Sequence, residues 1–308
     1  MTQENHNSKS MFHGFWALTN RDLKKWYKAP ILLFMSIIQP ILWMGLFGKA
    51  MNIGAIFTQN QNIFTNLPTL DPPLVQSQII GLGNFFNQLQ GRVLTSTFGV
   101  NDYFSFMAVG MLSFIVVFTA MFSGMSIVWD RRLGFLNKAL STPVARGAII
   151  MSKVLNSVIR SLIQASIVVV LAWLLGLRFS ASFTASYGLN LLIAFAALFL
   201  MCLGLSSVFL AIAIRSTRWE TQMAVVNLLN LPLLFTSNAL FPTNFMPDWL
   251  QTISKINPIT YGTDAARQML ILPTVNYAQL GIDFAFLGGF ALVFAAIGIA
   301  LSIRYLSK

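Results

Sequence analysis

Six long apolar runs divide the chain, and each stands between more polar or basic stretches. Ala29–Gly48 carries no charge, and neither does Phe104–Val128. Ser161–Leu177 is uncharged, with a helix that begins earlier, near Gly147. Leu189–Ile214, Thr221–Phe241 and Phe284–Ile303 complete the set. About twenty residues at a 1.5 Å rise cross a hydrocarbon core of about 30 Å, so each run predicts a membrane span. The predicted fold class is an all-α integral membrane protein with spans at about 29–50, 103–129, 147–177, 188–214, 220–241 and 282–304.

Periodicity marks further elements. In residues 11–28, Phe12, Phe15, Trp16, Leu23, Trp26 and Tyr27 share one helical face, and Asn20, Arg21, Lys24, Lys25 and Lys28 the other. That pattern predicts an amphipathic helix lying on the membrane surface. The bland alternative is a basic, aromatic anchor for the first span. The polar residues 1–10 read as disordered, and they lack the apolar stretch of a signal peptide. Residues 53–101 form a long outer segment rich in Asn, Gln and Thr, where Pro68, Pro72 and Pro73 oppose a continuous helix. Between the last two spans, residues 242–272 are too short to cross and too apolar for an ordinary loop. They predict a re-entrant outer helical hairpin, with Pro247 and Pro258 opening two short helices and Asn257 capping the second. Trp249 and Tyr261 suit the headgroup level.

Composition agrees with this picture. Charged residues are 9% of 308, hydrophobic residues 56%, and the mean hydropathy is +0.69. A soluble fold would need far more surface charge. The net charge of +11 would suggest nucleic acid in a soluble protein. Here the Lys and Arg residues flank the spans instead. With the N-terminus inside, fourteen fall on inner segments and five on outer ones, which predicts both termini in the cytoplasm.

Catalytic chemistry finds no support in the sequence. The histidines, His6 and His13, both lie near the N-terminus, and Cys202 is the lone cysteine. There is no G-x-x-x-x-G-K-[ST] phosphate loop, no H-E-x-x-H and no G-x-S-x-G. A six-span membrane enzyme or sensor would need a catalytic constellation or a folded outer domain, and neither is evident.

Several polar positions inside the apolar runs remain to be weighed. Gln39 and Pro40 in the first span mark a kink or a polar lining. Asn227 and Asn230 share a face of the fifth span, with Pro232, Phe235 and Asn238 beyond them. They form interhelical hydrogen bonds or line a pathway. Lys153, Asn156, Arg160 and Gln164 make a stripe along the third span, and Glu220 is the acid of matching depth for Arg160. The loop after the second span, residues 128–146, has Leu133, Leu136 and Leu140 at helical spacing, with Arg131, Arg132 and Lys138 around them. It reads as a docking element for a cytoplasmic partner, or as a basic loop with interfacial leucines.

Two motifs carry a family resemblance. W-D-R-R-x-G…L-S-T-P-V-x-R follows the second span, and L-F-P…P-x-W-L…N-P-I-T-Y-G-x-D-A-x-R precedes the sixth. Together with the order of elements, they resemble the ABC-2 type permeases, the membrane subunits of ATP-binding-cassette exporters, near the daunorubicin-resistance and nodulation-factor branches. The resemblance covers nearly all of residues 11–308, and the outer segment 53–101 looks longer than the family's. It implies a permease that pairs, as homodimer or heterodimer, over two copies of a separate ATPase in the plasma membrane. ATP and Mg would sit on that partner, with no cofactor on this chain. It makes residues 11–28 the connecting helix. Arg131, Arg132, Leu133, Gly134, Leu136, Lys138, Leu140, Thr142, Pro143 and Arg146 become the coupling loop. Pro247, Trp249, Asn257, Pro258, Tyr261, Asp264 and Arg267 belong to its outer helices. A path through Gln39, Pro40, Asn227, Asn230, Phe235 and Asn238 would carry a hydrophobic or amphipathic small molecule outward. Export of a lipid or lipid-linked glycan is the alternative within the family.

Overall fold

A computed structural model describes residues 2–46, 84–85, 88, 91–92, 95–96, 98–100, 102–142, 144–180, 186–216 and 218–305, with the side chains of 2–13, 32 and 33 left aside. Most of the outer segment read at 53–101, and Pro143 of the inner loop, lie outside the described residues. Among the described residues there is no β-strand.

The chain opens with α1 (Thr2–Tyr27). It is helical from Thr2 through the segment expected to be disordered, because extending a formed helix costs far less than starting one. Pro30 at the first position of α2 (Pro30–Trp43) forces the break between the two. Pro40 lies inside α2 and is buried, and three residues of π-helix follow at 44–46. Asp102 then caps α3 (Tyr103–Arg132), accepting from the Ser105 amide at 2.8 Å. A glycine at φ +71°, Gly134, turns the chain into the short α4 (Phe135–Leu140). The long helices α5 (Arg146–Leu174) and α6 (Tyr187–Arg215) follow, then α7 (Trp219–Phe235). A single 3₁₀ turn at Thr243–Phe245 leads to α8 (Asp248–Ser254), α9 (Pro258–Leu270) and the final α10 (Tyr277–Tyr305).

Among the described residues four helices, α3, α5, α6 and α10, are long and apolar enough to cross a membrane. The first and fifth expected spans correspond to α2 and α7, which are shorter. The 17 residues of α7 extend about 26 Å and the 14 of α2 about 21 Å, so neither reaches 30 Å as a regular α-helix.

Burial ranks the four long helices. The apolar window of α3 is 94% buried, whereas that of α10 is 17% buried, so α3 is the axis of the bundle and α10 lies at its edge. Close approach to α3 depends on glycine. A Cβ on Gly110 would fall 2.0 Å from the Ala239 carbonyl oxygen, and one on Gly124 would fall 2.7 Å from that of Phe209. Helix α6 packs against α10, α3, α9 and α5, and α1 lies along α5. One end of the bundle gathers Arg131, Arg132, Arg215 and Arg304 and is called the basic end. The other carries α8 and α9 and is called the hairpin end.

Candidate functional site

The basic end is organised around two carboxylates that the sequence reading did not single out. Asp130, in the last turn of α3, is buried. It accepts from Lys153 Nζ at 2.6 Å, Arg21 Nη2 at 2.8 Å and Lys25 Nζ at 3.5 Å. Asp22 lies 2.7 Å from Arg21 and 3.2 Å from Lys153. Three helices thus meet at one charge cluster: α1 brings Arg21, Asp22 and Lys25, α3 brings Asp130, and α5 brings Lys153. Opposite charges this well hydrogen-bonded are tolerable when buried, and removal of either carboxylate leaves cations uncompensated. The signal in the sequence was scarcity. The chain has nine acidic residues, and two of them sit within basic stretches beside spans.

Beside this cluster stands α4. The Arg21 guanidinium lies 3.3 Å from the centre of the Phe135 ring, so the cluster also grips the start of that helix. Here the expected docking edge needs correction. Leu136 is only 3% exposed and Ala139 5%, because α4 turns these residues onto the bundle, beside Leu18 and Ile149. Leu133 is 70% exposed, Lys138 is exposed, and Leu140 is half-buried. Arg131 also turns inward, donating to the carbonyls of Ser216 at 2.6 Å and Ile214 at 2.9 Å, where it caps the end of α6. Arg132 and Thr142 are exposed, and Arg146 is half-buried at the start of α5. The outward face of this loop is therefore Arg132, Leu133, Lys138 and Thr142, with Leu140 at its margin. Two of the expected residues, Leu136 and Arg131, serve the fold itself.

The polar stripe on α5 finds partners on other helices at three of its four positions. Lys153 joins the charge cluster, and the Asn156 amide donates to Thr19 O at 3.4 Å. Gln164 accepts from Thr119 Oγ1 at 2.7 Å and donates to Ser36 on α2. The expected Arg160–Glu220 ion pair does not form. Glu220 is exposed, and the Arg160 guanidinium lies 5.3 Å from the Trp26 ring centre instead, because α1 reaches α5 where α7 does not.

Residues assigned to a path are split between α2, α7 and the turn after α7, where Asn238 lies. Gln39 is half-buried on α2. Asn227 and Phe235 are exposed on α7, whose Leu228 and Leu231 are also exposed. Asn230 and Asn238 each have a buried amide oxygen without a partner. Helix α2 packs on α1, α3 and α5, and α7 packs on α3.

At the hairpin end, Asn257 accepts from the Ile259 amide at 3.0 Å and caps α9, with Pro258 in the first turn. Its own amide donates to Leu233 O at 2.7 Å and Thr236 Oγ1 at 2.9 Å, tying α9 to the end of α7. Pro247 stands one position before α8, not in its first turn. Trp249 is 65% exposed, and Tyr261 stacks on Phe286 with ring centres 4.1 Å apart. Asp264 accepts from Gln268 at 2.9 Å. Arg267 is almost wholly buried. It donates to the carbonyls of Asn238 at 2.6 Å, Ala239 at 2.8 Å and Phe106 at 3.2 Å, and its guanidinium lies 3.5 Å from the centre of the Phe106 ring.

Comparison with known proteins decides the family. Residues 13–271 match the family described as ABC-2 type transporter. The chain belongs to that family. The transport permease ycf38 of Cyanophora paradoxa is 28% identical over 271 residues, covering 87% of this chain and 78% of the relative. Its counterpart in Pyropia yezoensis is 28% identical over 280 residues, covering 90% and 81%. The daunorubicin resistance ABC transporter permease protein DrrB1 of Streptomyces coeruleorubidus is 25% identical over 238 residues, covering 77% and 81%. The protein is therefore an ABC-2 permease, a membrane-embedded transport subunit and not itself an enzyme, of a kind that works with an ABC ATPase.

Proposed function

We propose that this ABC-2 permease is the membrane subunit of an exporter that moves a hydrophobic or amphipathic small molecule out of the cytoplasm or its inner leaflet. The observation that carries the reading is the family match over residues 13–271, together with drug-resistance permeases among the relatives. Two copies of a separate ATPase bind ATP and Mg beneath a permease dimer, and this chain holds no cofactor of its own. The chain crosses the plasma membrane six times, with both termini in the cytoplasm. In that orientation the basic end faces the ATPase and the hairpin end dips into the outer leaflet, which accords with the excess of Lys and Arg at the former.

Coupling then runs through the outward face of α4. Leu133 and Lys138 touch the ATPase, and a rigid-body displacement of α4 passes through Phe135 and the Asp130 cluster into α1, α3 and α5. Cargo moves between the copies along the exposed, asparagine-bearing face of α7 and the adjoining α2. Inverted membrane vesicles holding the permease and its ATPase provide the test. ATP should drive accumulation of daunorubicin or a similar amphipathic cation, and vesicles lacking the permease should show none. ATP-dependent uptake that is independent of the permease would refute the assignment.

A further inference from the structure

Arg160 is the one member of the α5 stripe that donates no hydrogen bond to another residue. Its Nε is buried without a partner, and so is the indole Nε1 of Trp26, a residue 7% exposed. Both atoms are donors only, so neither can satisfy the other. The guanidinium lies 5.3 Å from the indole ring centre, which sets two unmet donors close together where α1 packs on α5. Native structures leave few such groups unpaired, and a pair of donors points to a missing acceptor.

Charge points the same way. In the neighbouring cluster, Arg21, Lys25 and Lys153 outnumber Asp22 and Asp130, so one positive charge remains before Arg160 is added. Lys24 on α1, and Lys28 just past its end, are exposed nearby. Depth narrows the source of the acceptor. Trp26 precedes the start of α2 at Pro30 by four residues, so the two donors lie where the chain enters the membrane. Exposed apolar side chains, Tyr27, Ile31 and Phe34, continue from it along α2 and offer a surface for acyl chains.

We propose that Arg160 and Trp26 hold the phosphate of an anionic phospholipid of the inner leaflet, which wedges between α1 and α5. The guanidinium donates to the phosphate oxygens in a charge-assisted pair and the indole N–H adds a third donor. The lipid would then fix α1 against α5 beside the Asp130 cluster, about two turns of α5 beyond Lys153. The proposal rests on the reading of α1 as a helix at the inner membrane surface. Lipid retention tests it apart from transport, so failure of one does not entail failure of the other.

The experiment uses the full chain purified from nanodiscs of phosphatidylcholine with roughly a tenth phosphatidylglycerol, and counts retained lipid by native mass spectrometry. The wild type should retain phosphatidylglycerol in preference to phosphatidylcholine. Arg160→Gln and Trp26→Phe should each reduce that preference about tenfold, the scale of one charged hydrogen bond. Trp26→Phe keeps an aromatic face beside Arg160 while removing the indole N–H, and Lys138→Gln serves as a charge control that should retain the wild-type preference. Equal retention by wild type and both variants would overturn the proposal. Displacement of the lipid by equimolar inorganic phosphate would also overturn it, since the site would then belong to a free anion.

Discussion

At the basic end, Asp130 receives hydrogen bonds from three cations on two other helices; at the hairpin end, Arg267 donates to three neutral carbonyls with no carboxylate in contact. The two buried charges solve the same problem differently. Around Asp130 the charges are side chains carried by three separate helices, two carboxylates sharing three cations, so a displacement can exchange partners without stranding any of them. Around Arg267 the acceptors are backbone groups fixed by α3 and by the turn after α7, so the guanidinium holds that turn in one geometry. The first arrangement suits an end that must transmit movement from an ATPase. The second suits an end that must keep a short hairpin in register.

Breaking the charge cluster should give the largest effect. Asp130→Asn leaves the buried Lys153 and the half-buried Arg21 to share Asp22 alone, and should destabilise the chain by about 3–5 kcal/mol in a denaturation assay. Adding Lys153→Met should recover part of that loss, because a buried pair replaced by apolar groups is often tolerated. A double variant no better than the single one would show that the cluster does not act as a unit. At the hairpin end, Arg267→Met removes the charge but leaves three carbonyls without their donor. A loss of about 2–3 kcal/mol is expected, with proteolysis opening first near Asn238 and Ala239. Unchanged protection of that turn would contradict a pinning role. Asn257→Ala should cost less, about 1–2 kcal/mol, as expected for a helix cap with added tertiary bonds. Hydrogen exchange should localise its effect to the first turn of α9.

The sequence revealed those parts of the molecule whose physics is local. A long uncharged run has to be buried or in lipid, so α3, α5, α6 and α10 were legible from apolar length. The cap at Asn257 was legible because an asparagine followed by proline opens a helix in few other ways. Features that depend on distant residues were not legible. Asp130 looked like part of a basic loop until Arg21, 109 residues earlier in the chain, folded onto it. The facing of α4 was also hidden. Its six residues make fewer than two turns, and apolar side chains at 133, 135, 136, 139 and 140 leave several faces open. Only packing on Leu18 and Ile149 selects Leu136 and Ala139 as the inner side. Glu220 was matched to Arg160 by depth alone, and depth does not fix direction around a helix.

The central claim is that the outward face of α4 carries the ATPase contact while the inward face belongs to the fold. The direct measurement is co-purification of the ATPase with the Leu133→Asp, Lys138→Glu double variant, whose changed side chains lie outside the core. The account predicts a permease of normal thermal stability that no longer retains its ATPase. Full retention of the ATPase, with normal ATP-driven transport, would contradict it.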